Sequence, residues 1–204
     1  AIVRGDLLLL LFALDVLEGA GPGQPLVFDV KCSQAVPEVL EARGGRPVMW
    51  KTGHSLIKEK MKETGAPVAG ELSGHICFAD DYYGFDDALY AACRLADLLA
   101  RSERSLSEQV AEFPRYLSTP EIRVEVPESK KFDIVARAVK AFSADHEVID
   151  VDGARVLFDG GWGLLRASNT QPVLVLRYEA RTRAQLDAIR ETMEGWLESQ
   201  GVHP

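Results

Sequence analysis

At 204 residues, with 47% hydrophobic and 26% charged side chains, the chain has the composition of a soluble globular protein. It is long enough for one large or two modest domains, each with an adequate core. A formal net charge of -8 argues against a general nucleic-acid binder and against adhesion to an anionic membrane, so an anionic ligand would need a local cluster of cations.

The longest apolar run, Leu7 to Leu14, is far short of a membrane span, and no basic leader precedes it; this reads as a cytoplasmic protein. Cys32, Cys77 and Cys93 have no metal-ligand spacing and read as small buried thiols kept reduced. Leu7 to Leu17 is predicted as a buried helix with Asp6 in its first turn, which takes Arg4-Gly5-Asp6 out of contention as an adhesion motif. Gly19 to Gly23 breaks that helix, and Leu26-Val27-Phe28 forms a short buried strand that runs into Asp29-Val30-Lys31. A helix from Pro37 to Ala42, a strand from Pro47 to Trp50 and an amphipathic helix from Ser55 to Lys62 follow. Ala66 to Ala69 and Ile76 to Phe78 read as strands on either side of a glycine-rich bend. Phe85, Leu89, Ala92, Leu95, Ala96 and Leu99 recur at helical spacing, which predicts a core-facing helix from Asp86 to Leu99 with Asp86 near its cap. The alternation of helix and strand is that of an α/β domain, a mixed sheet flanked by helices.

Between Ala100 and Pro120 the chain is rich in Ser, Arg and Glu and carries Pro114 and Pro120, so a boundary is placed there, giving domains 1–114 and 115–204. Beyond it come a strand from Glu121 to Val126, a helix from Lys130 to Phe142, and a hairpin with Asp152-Gly153 between Val148-Ile149 and Val156 to Phe158. Strands Trp162 to Leu165 and Val173 to Tyr178 and a helix from Thr182 to Leu197 complete an α+β domain, an antiparallel sheet with two helices on one face.

Three polar segments each lie just past a strand: Asp29-Val30-Lys31, Lys51-Thr52-Gly53-His54, and Gly70-Glu71-Leu72-Ser73-Gly74-His75. In an open α/β sheet ligands collect at the carboxyl ends of the strands, so all three could share a cleft. The last packs a carboxylate, a hydroxyl and an imidazole between glycines, a set suited to a polyhydroxylated ligand; it reads equally well as a tight connection. Taken singly, Lys31 reads as a surface lysine and His54 as a helix-capping residue, and only their joint placement suggests a site. Arg166-Ala167-Ser168-Asn169-Thr170-Gln171-Pro172 offers a guanidinium, two hydroxyls and a carboxamide without a carboxylate, as an anion such as phosphate requires; the alternative is a polar hairpin turn. Asp80-Asp81 and Asp86-Asp87 lack the alternation of a calcium loop and read as a solvated face or as helix caps, and Asp150 to Gly153 reads as a turn.

Lys51-Thr52-Gly53-His54-Ser55, Gly70 to His75, Gly84-Phe85-Asp86-Asp87 and Arg166 to Pro172, in that order, resemble the α-D-phosphohexomutases and, within them, the bacterial phosphomannomutase/phosphoglucomutase group. The resemblance covers nearly the whole chain. It implies an enzyme that interconverts hexose 1-phosphate and hexose 6-phosphate through glucose 1,6-bisphosphate, using a phosphoserine and magnesium in a four-domain protein. Residues 1–114 would then be the third domain and 115–204 the fourth. By that resemblance Glu71 and Ser73 grip sugar hydroxyls, and Lys31 and His54 touch the sugar or its phosphate. His75 is a candidate catalytic proton-transfer group, and Arg166, Ser168, Asn169 and Thr170 bind the phosphate that is not transferred. The chain has neither a Thr-Ala-Ser-His-Asn phosphoserine loop nor an Asp-Gly-Asp-Gly-Asp metal loop, so no metal ligands are expected in it. It is expected to be the substrate-recognition half, inactive without the N-terminal domains; a free-standing phosphosugar-binding or regulatory module is the alternative.

Overall fold

The alternation in Leu26-Val27-Phe28 decides the architecture of the first part of the chain. Successive strand residues point to opposite faces. Leu26 and Phe28 enter one core and Val27 a second, so the strand is buried on both sides and needs helices on both. The computed structural model describes residues 2–203 and divides into two compact units between Pro114 and Arg115.

In the first unit the elements run α1 (Gly5–Ala20), β1 (Pro25–Asp29), α2 (Ala35–Ala42), β2 (Arg46–Trp50), α3 (His54–Thr64), β3 (Val68–Gly70), β4 (Ile76–Phe78), α4 (Ala88–Ala100) and α5 (Leu106–Val110). The sheet order is β2-β1-β3-β4, with β1 parallel to both β2 and β3, and β4 antiparallel at the edge. From α1, Leu9, Leu10, Phe12, Ala13 and Val16 pack with Val36 and Leu40 of α2 on one face of the sheet; Ile57 and Met61 of α3 cover the other. Because β1 has its successors on opposite sides, its C-terminal end is a topological switch point, and the ends of β1, β2 and β3 open on one edge.

One expectation, the core-facing stripe of α4, holds only in part. Leu95 and Leu99 of the expected stripe pack partly buried against the core, but the buried residue of α4 is Leu98, and Phe85 and Leu89 are 58% and 81% exposed. Apolar residues lie on nearly every side of this helix, so spacing does not select its inner face; specific contacts do. Tyr82 stacks on Tyr90 with ring centroids 3.9 Å apart, and Arg94 pairs with Asp80 at 2.8 Å and with Asp15 at 3.5 Å. Its cap is Asp87, next to Asp86, and the Asp87 Oδ1 accepts from the Leu89 and Tyr90 amides at 3.0 Å. Residues 100–120, where the sequence places the boundary, contain both the division between the two units and α5, opened by a capping box between Ser105 and Glu108, as well as a short strand. Cys32 and Cys77 are buried as expected, and burial pushes the Cys77 thiol up to about 11; Cys93 is exposed.

The second unit runs β5 (Leu117–Ser118), β6 (Ile122–Glu125), α6 (Lys131–Phe142), β7 (Val148–Ile149), β8 (Ala154–Phe158), β9 (Gly161–Ala167), β10 (Val173–Ala180) and α7 (Arg183–Ser199). All its strand pairs are antiparallel, in the order β5-β10-β9-β8-β7, with β6 also pairing β10. Ile134, Ala138 and Phe142 of α6 share one core with Leu186, Ile189, Met193 and Leu197 of α7, which places both helices on one face of the sheet. Thr182 caps α7 through the Gln185 amide. The opposite face carries a stack of Arg155 on Trp162, 3.8 Å from guanidinium to ring, with the indole donating to Glu179 at 3.1 Å. The α/β and α+β architectures are those expected from the sequence.

Candidate functional site

In the first unit, the polar segments after β1, β2 and β3 are tied together by one fully buried carboxylate. Asp29 Oδ1 accepts from the Leu72 amide at 2.9 Å and from Cys32 Sγ at 3.0 Å, while Oδ2 accepts from Thr52 Oγ1 at 3.1 Å. Lys31 Nζ stands 4.0 Å from Oδ2, and Lys31 is buried, against the surface role that it suggests when read alone. Glu71 is also buried. Its Oε1 accepts from the Gly53 amide at 3.1 Å and its Oε2 from Ser73 Oγ at 3.2 Å. Burial raises the Glu71 carboxyl above the usual range, Asp29 adds to this, and His75, Ser73 and Lys31 oppose it.

The start of α1 supports the same loop from below. A Cβ on Gly5 would fall 2.6 Å from the Leu72 carbonyl oxygen and 2.7 Å from the Gly74 amide nitrogen, so only glycine lets the helix reach the loop backbone. Asp6 is fully buried in that first turn and accepts from the Ser33 amide at 2.9 Å, which locks the segment after β1 to the helix. His54 is the first residue of α3, with Gly53 as the cap residue and no side-chain cap, so the capping role suggested for it is not found. Its ring centroid lies 5.5 Å from that of His75. His75 Nδ1 meets Asp86 Oδ2 at 2.7 Å. The structure thus gathers Lys31, His54, Glu71, Ser73 and His75 on the open edge of the sheet.

The second unit places Arg166, Ser168, Asn169 and Thr170 at the end of β9 and in its connection to β10. Arg166 is buried, and its Nε donates to Asp152 Oδ2 at 3.0 Å. Gly153, at φ +109°, permits this contact, because a Cβ there would collide with the Leu165 carbonyl at 2.5 Å and with the Arg166 side chain at 2.7 Å. Ser168 Oγ accepts from the Gln171 amide at 3.2 Å and the Thr170 amide at 3.4 Å, closing the loop on itself. Beneath the loop, the buried Lys131 donates to the Ser168 carbonyl at 2.7 Å and the Gln171 carbonyl at 3.1 Å, and pairs with Glu128 at 2.7 Å. Asn169 and Thr170 are exposed at its tip.

Asp29, Asp86, Lys131 and Asp152 escaped sequence reasoning as site residues. In the sequence Asp29 is one residue of the polar end of a strand, and Asp152 has the place of an ordinary turn residue. Nothing in the sequence marks Lys131, which occupies an ordinary helix start. Among the described residues no group of three or more His, Cys, Asp or Glu is placed to hold a metal ion. Asp80 is engaged by Arg94, Asp86 by His75, and Asp87 by Tyr82 and the α4 amides, so these acidic pairs do not fit a magnesium site. No helix among the described residues is long and apolar enough to cross a membrane.

Comparison with known proteins follows the same division. Residues 4–116 match the family model of the phosphoglucomutase/phosphomannomutase alpha/beta/alpha domain III, and residues 121–195 match that of the phosphoglucomutase/phosphomannomutase C-terminal domain. The chain is 49% identical to a phosphomannomutase/phosphoglucomutase of Pseudomonas syringae pv. tomato over 93% of its own length and 41% of the relative's. A crystal structure of a phosphoglucomutase/phosphomannomutase family protein from Burkholderia thailandensis superposes with a TM-score of 0.85 at 41% identity, covering 98% of this chain and 42% of that one. The fold alone extends to the N-acetylphosphoglucosamine mutase of Aspergillus fumigatus solved with GlcNAc-6P and magnesium, at a TM-score of 0.69 and 17% identity over 93% of this chain and 42% of that one. The chain spans about two fifths of the length of the relatives it matches.

Proposed function

The chain belongs to the phosphoglucomutase/phosphomannomutase family, and from that premise we propose that it is the substrate-recognition half of an enzyme interconverting hexose 1-phosphate and hexose 6-phosphate. Residues 1–114 act as the third domain of that enzyme and 115–204 as the fourth. The observation that carries the reading is the gathering of Glu71, Ser73, His54, Lys31 and His75 at the carboxyl edge of the parallel strands, tied down by the buried Asp29.

Each residue has a part set by its chemistry. Glu71, held by the Gly53 amide and Ser73, accepts from sugar hydroxyls, and an ionised carboxylate is the strongest acceptor a protein offers them. Ser73 can donate or accept as the sugar turns over. Lys31 and His54 supply donors to the sugar or its phosphate, and His75 moves the proton of the reacting hydroxyl. Arg166, with Asp152 on its Nε edge, turns its remaining guanidinium donors to the phosphate that is not transferred, beside Ser168, Asn169 and Thr170. Glucose 1,6-bisphosphate is the intermediate. Magnesium and the phosphorylated serine belong to the N-terminal domains of the parent, which acts in the cytoplasm, and the chain alone turns over no substrate.

Two assays test this. Full-length parent should convert glucose 1-phosphate to glucose 6-phosphate while the chain alone does not; a parent without turnover would sink the proposal. Calorimetric titration of the chain with glucose 1-phosphate should give weak binding, since half of the grip is missing. Tight binding by the isolated chain would instead identify a binding module.

A further inference from the structure

Two adjacent carboxylates at the start of α4 have different duties. Asp87 caps the helix through the Leu89 and Tyr90 amides and takes the Tyr82 hydroxyl at 2.8 Å. Asp86 takes no part in the cap. Its backbone forms an isolated antiparallel bridge with Cys77 in β4, and this bridge carries the carboxylate back to a histidine eleven residues earlier. The contact, 2.7 Å from Nδ1 to Oδ2, is as short as a charge-assisted hydrogen bond. The geometry fixes the tautomer: an ionised Asp86 can only accept, so Nδ1 is the nitrogen that carries the proton, and in the neutral ring Nε2 keeps the lone pair. The His75 side chain is 46% exposed, so its ring is reachable by a ligand, and the His54 ring lies 5.5 Å away.

We propose that Asp86 is the positioning residue for proton transfer at His75, holding the imidazole as its Nδ1–H tautomer with Nε2 presented as the base. The inference rests on the role proposed above for His75 and goes beyond it in naming what prepares that residue. In the step it serves, the O–H bond of the attacking sugar hydroxyl breaks and its proton passes to Nε2. The electron pair left on oxygen forms the new bond to the phosphorus of a phosphate ester supplied by the rest of the enzyme, whose own P–O bond breaks toward its oxygen. The Asp86 carboxylate counters the imidazolium so formed. In the reverse direction Nε2 returns the proton to the departing sugar oxygen.

The test pairs spectroscopy on the chain with kinetics on the full-length parent. In the 15N-labelled chain, long-range imidazole correlations of neutral His75 should show a protonated Nδ1 and a bare Nε2. In Asp86→Asn, whose amide can donate to Nδ1, the proton should move to Nε2. In the parent, Asp86→Asn should lower kcat by about 10- to 100-fold, part of the ~100- to 10,000-fold that a positioned acid or base supplies, with KM for glucose 1-phosphate within about twofold. Asp86→Glu, which restores an acceptor, should recover part of kcat. A wild-type ring protonated on Nε2, or an Asp86→Asn parent with full kcat, overturns the proposal. His75→Ala separates the two readings. If it keeps full turnover, the role of His75 itself falls; if it is inactive while Asp86→Asn is not, only the role of Asp86 falls.

Discussion

The 70–75 loop of the first unit, proposed to meet the sugar, and the 166–172 loop of the second, proposed to meet a phosphate, are fastened by buried charges of opposite sign. Under the first lies Asp29, an acceptor that engages the Leu72 amide, while Glu71 engages the Gly53 amide. Under the second lies Lys131, a donor that engages the Ser168 and Gln171 carbonyls. Where the scaffold takes up backbone donors, the loop is left rich in acceptors, suited to hydroxyl groups. Where it takes up backbone carbonyls, the exposed tip keeps the Asn169 and Thr170 side chains, which can donate to an anion. The polarity of the fastening thus matches the polarity of the ligand proposed for each loop.

Each of the two fastenings can be removed separately. The largest effect is expected for Asp29→Ala, which leaves buried donors on Leu72, Thr52 and Cys32 without their acceptor; chemical denaturation of the chain should show a loss of about 3–5 kcal/mol. Lys131→Met strands two loop carbonyls and should cost about 2–4 kcal/mol in the same measurement. A loss much smaller than that would mean the phosphate loop does not depend on its cation. Arg166→Ala in the full-length parent should weaken phosphosugar binding by about 1.5–3 kcal/mol, the scale of hydrogen bonds to a charged group; unchanged KM and kcat would remove Arg166 from the site.

Glu71→Gln sharpens the contrast through pH. The folded-state carboxyl of Glu71 titrates above its unfolded value, so the folded chain binds more protons in that window and loses stability as pH rises from the unfolded pKa to the folded one. The Gln variant lacks this loss. Its melting temperature relative to wild type should therefore increase from pH 4 to pH 7, and a difference that is flat or falls with pH would contradict the assignment. The smallest effect is expected on the outer side of α4, where Leu89→Ser should change stability by no more than about 0.5 kcal/mol, because Leu89 is exposed.

What the sequence revealed and what it withheld follow from how far each signal travels along the chain. The helices and strands were legible because their periodicities are local, down to the start of α7 at Thr182 and to Asp152-Gly153 as the hairpin turn. The inner face of α4 was not, since its alanines and leucines surround the axis and a tyrosine stack and Arg94 choose among them. The site loops were visible as unusual mixtures of polar groups next to glycine. Their supports were hidden, because Asp29 meets Leu72, Asp86 meets His75, Lys131 meets Ser168 and Asp152 meets Arg166 only after strands have paired. A carboxylate in a turn looks the same in sequence whether it faces water or an arginine.

Asp29 also has a consequence for motion. The Leu72 and Gly53 amides are bonded to carboxylates that sit in the interior, so neither can exchange with solvent deuterium through a small excursion of the loop. Their protection should approach that of the central strand itself, and the 70–75 loop would then open only when the whole sheet does. In the proposed function such a loop takes its ligand as a stiff template whose shape is set before the encounter.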